Sequence, residues 1–200
     1  MRVLLITDSH GRGLSSKMER CDTRLSVLNI RVGAKLSSIR GVYRRKLGSI
    51  RDFLPEIVIF HFGHNDLVPH ARHNPNPLFI TAVVHQIQEF VTEVSNHLPE
   101  ARIFVSSILP RMPATRFNID KSASYNRLAR RFGEIIRGLG NKTGSLFAGI
   151  VNRSLWGRIA RSEPLAGNFH HSDGLHLNSA GKGLLVRGWL RALGLPEDNQ

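Results

Sequence analysis

Val3-Leu4-Leu5-Ile6-Thr7-Asp8-Ser9-His10-Gly11 is a short apolar run that stops abruptly at a polar triplet. A continuous hydrophobic run bounded by turn residues predicts a buried strand of a parallel sheet rather than a half-solvated one. The same pattern recurs. Leu25–Ile30 reads as a second strand, Ile57-Val58-Ile59-Phe60 after Pro55 as a third, and Arg102–Leu109, ended by Pro110 and Pro113, as a fourth. A weaker segment around Leu146-Phe147 is expected to form a fifth.

Helical patterns fill the intervals. A short helix fits between Gly11 and Arg20. A longer one fits Ala34–Leu47, where Leu36, Ile39, Val42 or Tyr43, and Leu47 recur at helical spacing. After a Pro- and His-rich connection from Pro69 to Pro77, Ile80, Val83, Val84, Ile87, Phe90, Val91 and Val94 mark a long amphipathic helix. Another is expected from Asp120 to Arg137, stopped by Gly138 and Gly140, and a last one over Ser179–Leu193. Strands alternating with helices predict a three-layer α/β/α sandwich, flavodoxin-like, with a parallel sheet of about five strands. The expected organisation is one domain over residues 1–195 with a fraying tail at 196–200.

In an open parallel sheet, ligands bind at the carboxyl ends of the strands. Ser9 follows the first strand there, Gly33 the second, and Gly63-His64-Asn65-Asp66 the third, while Asp173-Gly174-Leu175-His176 precedes the last helix. These positions hold the parts of a serine nucleophile system. Ser9 would attack, His176 would take its proton, and Asp173 would orient the imidazole. The backbone N–H of Ser9, the backbone N–H of Gly33 and the Asn65 amide would face a developing oxyanion. Asp8, His10, His64 and His171 are candidate pocket residues. His170 and His171 are the rivals of His176 as base, and Asp-x-x-His spacing favours His176.

Singly, each residue has a structural reading: Asp8 and Ser9 as helix caps, Asn65-Asp66 and Asp173-Gly174 as turns, Gly33 as a strand-exit glycine. Four blocks in order, each at a strand end or before the last helix, favour the catalytic reading. On these blocks the chain resembles the SGNH hydrolases, also called GDSL-type esterases, across nearly its whole length. The resemblance implies hydrolysis of carboxylic esters, with short acyl groups such as acetyl on a glycan, lipid or other small alcohol, and no cofactor. One departure is that Thr7 stands where the family has glycine before Asp-Ser. Asp8-Ser9-His10, Ile108-Leu109-Pro110-Arg111 and Asp173–Asn178 are also similar to esterase domains in the first open reading frame of LINE retrotransposons.

Other motifs fit less well. Thr7–Gly11 is one residue short of a Gly-x-Ser-x-Gly elbow, and that elbow does not follow a first strand. Gly11-Arg12-Gly13 lacks the third glycine of a dinucleotide loop, since Ser16 holds its place, and Arg31 ends strand two where an acid is needed. His61, His64, His70, His73 and His170-His171 are crowded but lack zinc-binding spacing, so no metal is expected.

The formal net charge is +13, carried mostly by arginine in clusters at Arg40–Arg51, Arg127–Arg137 and Arg153–Arg161. Arginine forks suit phosphates, so RNA, DNA or another polyanion is a candidate partner, against the plainer reading of a solvated surface with some ion pairs. A catalytically silent fold that binds nucleic acid is therefore the alternative function. The only tyrosines are Tyr43 and Tyr125, too few for a base-stacking platform. The single cysteine, Cys21, permits no internal disulfide. The apolar run at Val3–Ile6 is too short for a leader or a membrane span, so an intracellular, possibly ribonucleoprotein-associated setting is expected.

Overall fold

The computed structural model describes residues 1–33, 35–67, 77–111, 119–151, 169–171 and 176–195. Five strands, β1 (Arg2–Thr7), β2 (Ser26–Arg31), β3 (Ile57–His61), β4 (Arg102–Ser106) and β5 (Ala148–Ile150), form one sheet in the order β2-β1-β3-β4-β5. Every pair is parallel. The helices are α1 (Leu14–Cys21), α2 (Leu36–Arg45), α3 (Leu47–Phe53), α4 (Pro77–His97), α5 (Ile119–Gly140) and α6 (Ser179–Leu193).

Alternation along each strand sends side chains to opposite faces, and both faces are dry. Leu4, Ile6, Val58, Phe60, Ile103 and Val105 pack against α2 to α5, where Ile39, Tyr43, Phe90 and Phe132 are buried. Val3, Leu5, Ile57, Ile59 and Phe104 pack against α1 and α6, around Leu14, Met18 and Trp189. This is the three-layer α/β/α sandwich expected.

The boundaries differ in places, each for a local reason. The helix expected over 34–47 breaks at Lys46, and α3 carries Ile50 back to the core before ending at Leu54, whose φ is 50°. The first helix begins at Leu14 rather than Gly11, because residues Ser9–Gly11 form a 3-10 turn first. β2 is shifted one residue from the expected span. β4 stops at Ser106, not Leu109, since the N–H of Leu109 bonds the His64 ring instead of a strand. β5 lies at Ala148–Ile150, beyond the Leu146-Phe147 expected, and Leu146 is exposed.

Of the two glycines read as a stop for α5, Gly140 has a further role, which it shares with Gly149. A Cβ on Gly149 would lie 2.7 Å from the Ile136 carbonyl oxygen, and one on Gly140 would lie 2.3 Å from the Gly149 nitrogen. The helix runs to Gly140 because bare backbones let it press onto the edge strand.

Charge also builds the fold. Arg40 and Arg44 on α2 bind Glu93 on α4, with Arg40 also reaching Glu89. Arg44, with Arg40, pulls the Glu93 carboxyl down to about 2. Part of the first arginine cluster therefore joins two helices. The cluster at Arg153–Arg161 lies outside the described residues.

Candidate active site

The chain leaves β1 for β2 on one side and returns to β3 on the other, so the strand order reverses at β1. A crevice opens at such a switch point. Thr7 is level with Arg31 of β2 and His61 of β3, which brings the loops bearing Ser9, Gly33 and Asn65 to one edge of the sheet. Asp66 ties two of them together: its carboxylate accepts the N–H of Leu36, at the start of α2, at 3.2–3.3 Å. Sequence reading gave Asp66 only a turn.

Beneath Ser9 lies a buried polar network. The Asp8 carboxylate accepts the backbone N–H of His10 at 3.0 Å, the His10 ring at 3.0 Å and the His64 ring at 3.0 Å. Burial works against the charge on Asp8, but His64 and His10 outweigh it and hold the carboxyl well below its usual value. An ionised carboxylate only accepts, so both rings donate from Nδ1. The Nε2 of His64 in turn accepts the Leu109 N–H at 3.0 Å, which fixes that tautomer. His10 stacks on His64 at 3.8 Å and on His176 at 4.8 Å between centroids. Three histidines thus run in a column from the sheet to the surface.

Asp8, His10 and His64 also have the composition of a metal site, one ligand atom from each lying within 4.8 Å of the others. Both His64 nitrogens and the His10 Nδ1 are already engaged in hydrogen bonds, whereas His10 Nε2 has no hydrogen-bond partner among the described residues. A cation held by Asp8 and His64 would have to displace a hydrogen bond that the network already makes.

His176 is set by backbone. Its carbonyl accepts the N–H of His171 at 2.8 Å, and His170 bridges to Leu177 in antiparallel fashion. Asn178 then caps α6 through the Gly181 N–H. Ser9, His10, His171 and His176, with Arg12 and Lys182, line a pocket of about 320 Å³. Asp8 and His64 lie under this pocket, and Gly33 and Asn65 stand outside its lining. His170 points away, its Nε2 donating to the Pro110 carbonyl at 3.2 Å. Asp173 lies outside the described residues, as do His70 and His73. Sequence reading named neither Arg12 nor Lys182 as a site residue: Arg12 was read only within the Gly11-Arg12-Gly13 loop, and Lys182 belongs to no motif.

Thr7 is accommodated within this frame. Its hydroxyl donates to Asn29 on β2 at 3.3 Å, and its side chain fills the space where a Gly11 Cβ would stand, 1.9 Å from Thr7 Oγ1. The glycine missing at Thr7 is offset by one at Gly11.

A profile of the GDSL-like lipase/acylhydrolase family matches residues 8–184. The chain belongs to that family. The match runs from Asp8 through the start of α6 and so takes in both the Ser9 turn and His176. Solved structures share the fold of this GDSL-like chain at low identity. The lipase/acylhydrolase from Enterococcus faecalis is 15% identical, with a TM-score of 0.64 over 100% of this chain and 99% of that one. A putative GDSL-like lipase from Parabacteroides merdae is 13% identical, with a TM-score of 0.62 over 98% and 96%. A catalytic mutant of an acetylxylan esterase from Geobacillus stearothermophilus is 14% identical, with a TM-score of 0.67 over 98% and 94%. No curated protein matches the chain. Among the described residues, no helix is long and apolar enough to cross a membrane.

The network makes the fold sensitive to acid. Burial, reinforced by His64, lowers His10 to about 4 from an ordinary 6.5. Burial also drives His61, enclosed beside Ser106 and Trp189, well below 6.5. The unfolded chain protonates both near 6.5, whereas the folded one does not. Stability is therefore full above about pH 6.5 and falls as the pH drops toward 4, by up to about 1.4 kcal/mol per pH unit for each histidine. Urea midpoints at pH 7.5, 6 and 5 should decline in that order. A flat profile would contradict neutral burial of the two rings.

Proposed function

We propose that this GDSL-like protein is a serine esterase acting on short acyl esters, with Ser9 as nucleophile and His176 as general base. Their convergence on one pocket at the switch point of the sheet, from opposite ends of the sequence, carries this reading. In the first step Ser9 Oγ bonds to the ester carbonyl carbon and its proton passes to His176. The carbonyl π electrons move to oxygen, which the N–H groups of Ser9 and Gly33 and the Asn65 amide would receive. Collapse breaks the C–O bond, the alcohol leaves with the proton from His176, and an acyl group remains on Ser9. Water then repeats the sequence, releasing the carboxylic acid and restoring Ser9.

Asp173 is assigned to orient His176 on its spacing and on the family resemblance. The Asp8 network beneath holds the Ser9 turn. A pocket of about 320 Å³ is small and favours a short acyl group such as acetyl. The acetylxylan esterase fold of the Geobacillus protein supports acetyl on a glycan as one substrate type. The likeness to retrotransposon esterase domains belongs to this proposal as well, as a setting beside RNA.

An activated fluorophosphonate tests the assignment. It should add one phosphonyl group, on Ser9 by peptide mass, at the rate that p-nitrophenyl acetate hydrolysis disappears. Absence of both labelling and Ser9-dependent turnover would sink the esterase and favour the alternative, a silent fold binding polyanions through arginines such as Arg127, Arg130 and Arg131 on α5.

A further inference from the structure

Among the described residues that line the pocket, Arg12 and Lys182 are cations and none is an acid. Arg12 follows the Ser9 turn, and Lys182 lies in the first turn of α6, behind His176. Their elements meet closely: the Lys182 amine lies 4.0 Å from where a Gly13 Cβ would be. Lys17 of α1 adds a third cation nearby, its side chain lying against Gly183.

Some arginines elsewhere on this chain are paired. Arg24 binds Asp22, Arg40 and Arg44 bind Glu93, and Arg131 binds Glu134. Among the described residues, no carboxylate lies within ion-pair distance of Arg12, Lys17 or Lys182. Burial, together with Arg12, lowers the Lys182 ammonium below its ordinary value, as two like charges facing one cavity would. Like charges gathered beside a nucleophile cost stability unless a ligand supplies the opposite sign.

We infer that Arg12 and Lys182 form an anion subsite, and that the preferred substrate is an ester carrying a carboxylate, sulfate or phosphate group next to the scissile bond. This deepens the esterase reading and rests on it for the hydrolytic step alone. A glycan with an acidic residue and a small acidic ester share this chemistry. A neutral acetylated sugar lacks it.

Matched probes test the charge. On the alcohol side, 4-acetoxybenzoate is compared with its methyl ester. On the acyl side, mono-4-nitrophenyl glutarate is compared with 4-nitrophenyl butyrate. Each kcat/KM is divided by the rate constant for hydroxide hydrolysis, to remove intrinsic reactivity. The anionic member of at least one pair should be preferred by about 10-fold or more at low salt, as charge-assisted contacts to two cations imply. The preference should shrink in 0.5 M NaCl (roughly the screening regime of a 4 Å Debye length).

In the Arg12→Gln, Lys182→Gln double variant, the anionic-to-neutral ratio should fall toward one. A general loss of activity leaves that ratio unchanged, so misfolding or a displaced nucleophile cannot mimic the result. Equal normalised rates in both pairs, or a preference that survives the double variant, would overturn the subsite while leaving the esterase standing. If no probe is turned over through Ser9, calorimetry with 4-acetamidobenzoate and its methyl ester decides the subsite separately. Tighter binding of the carboxylate, lost in the double variant, supports it. Equal or absent binding refutes it.

Discussion

Ser9→Ala is expected to lower kcat/KM for p-nitrophenyl acetate by at least ~10³-fold, as loss of the attacking hydroxyl does in serine hydrolases. The fold should be unaffected, because Ser9 is only partly buried, and it is the Asp8 side chain that caps the 3-10 turn through the His10 N–H. His176→Ala should cost about as much. The double variant should be no worse than either single one, since a nucleophile and its base act as one unit. Multiplied losses would mean that the two residues serve separate steps. Residual activity above the uncatalysed rate in all three would leave the oxyanion donors and binding as the remaining contribution. Far-UV circular dichroism and melting temperature, unchanged across the three variants, make the kinetic comparison valid.

Asp8→Ala should bear on stability rather than chemistry. The carboxylate is fully buried and accepts three N–H groups, two of them from rings in the histidine column. Removing it leaves those donors buried and unpaired, at a cost of about 3–5 kcal/mol. In a chain of this size that lowers Tm by roughly 6–20 °C. Asp8→Asn should recover only part of the loss, since its amide nitrogen would face an N–H donor instead of accepting one. A melting temperature for Asp8→Ala within about 3 °C of the parent would show that the network contributes little. The column also explains why Asp8 precedes Ser9 so directly. One side chain caps the Ser9 turn and ties it to the loop after β3 through His64.

How far the sequence reaches depends on the range of the interaction that makes each feature. β1 and β3 were legible because an apolar run such as Val3–Ile6 acts within a few residues, and α6 was placed by the same local reading. Candidate residues were legible because they sit at strand ends, and a parallel sheet gathers strand ends at one edge. Ser9 and His176 were named on that ground, and the structure places both on one pocket. Nothing local foretold that Lys46 breaks a helix or that Gly140 and Gly149 set a backbone-to-backbone contact.

The histidine column lies beyond that reach as well. His10, His64 and His176 belong to three separate blocks of sequence, and their stacking follows from the sheet register together with a carboxylate that two of them share. The same holds for Arg12 and Lys182, which enter one pocket because α1 packs beside α6. By itself, then, the sequence determined the layered α/β architecture and the family blocks, and it supplied the candidates Ser9 and His176, all matters of periodicity and order along the chain. Only the tertiary structure decided what surrounds them: the stacked rings beneath Ser9, the role of Gly11 opposite Thr7, and the cations lining the pocket. Those depend on contacts across the sheet, whose partners are chosen by packing in space rather than by position in sequence.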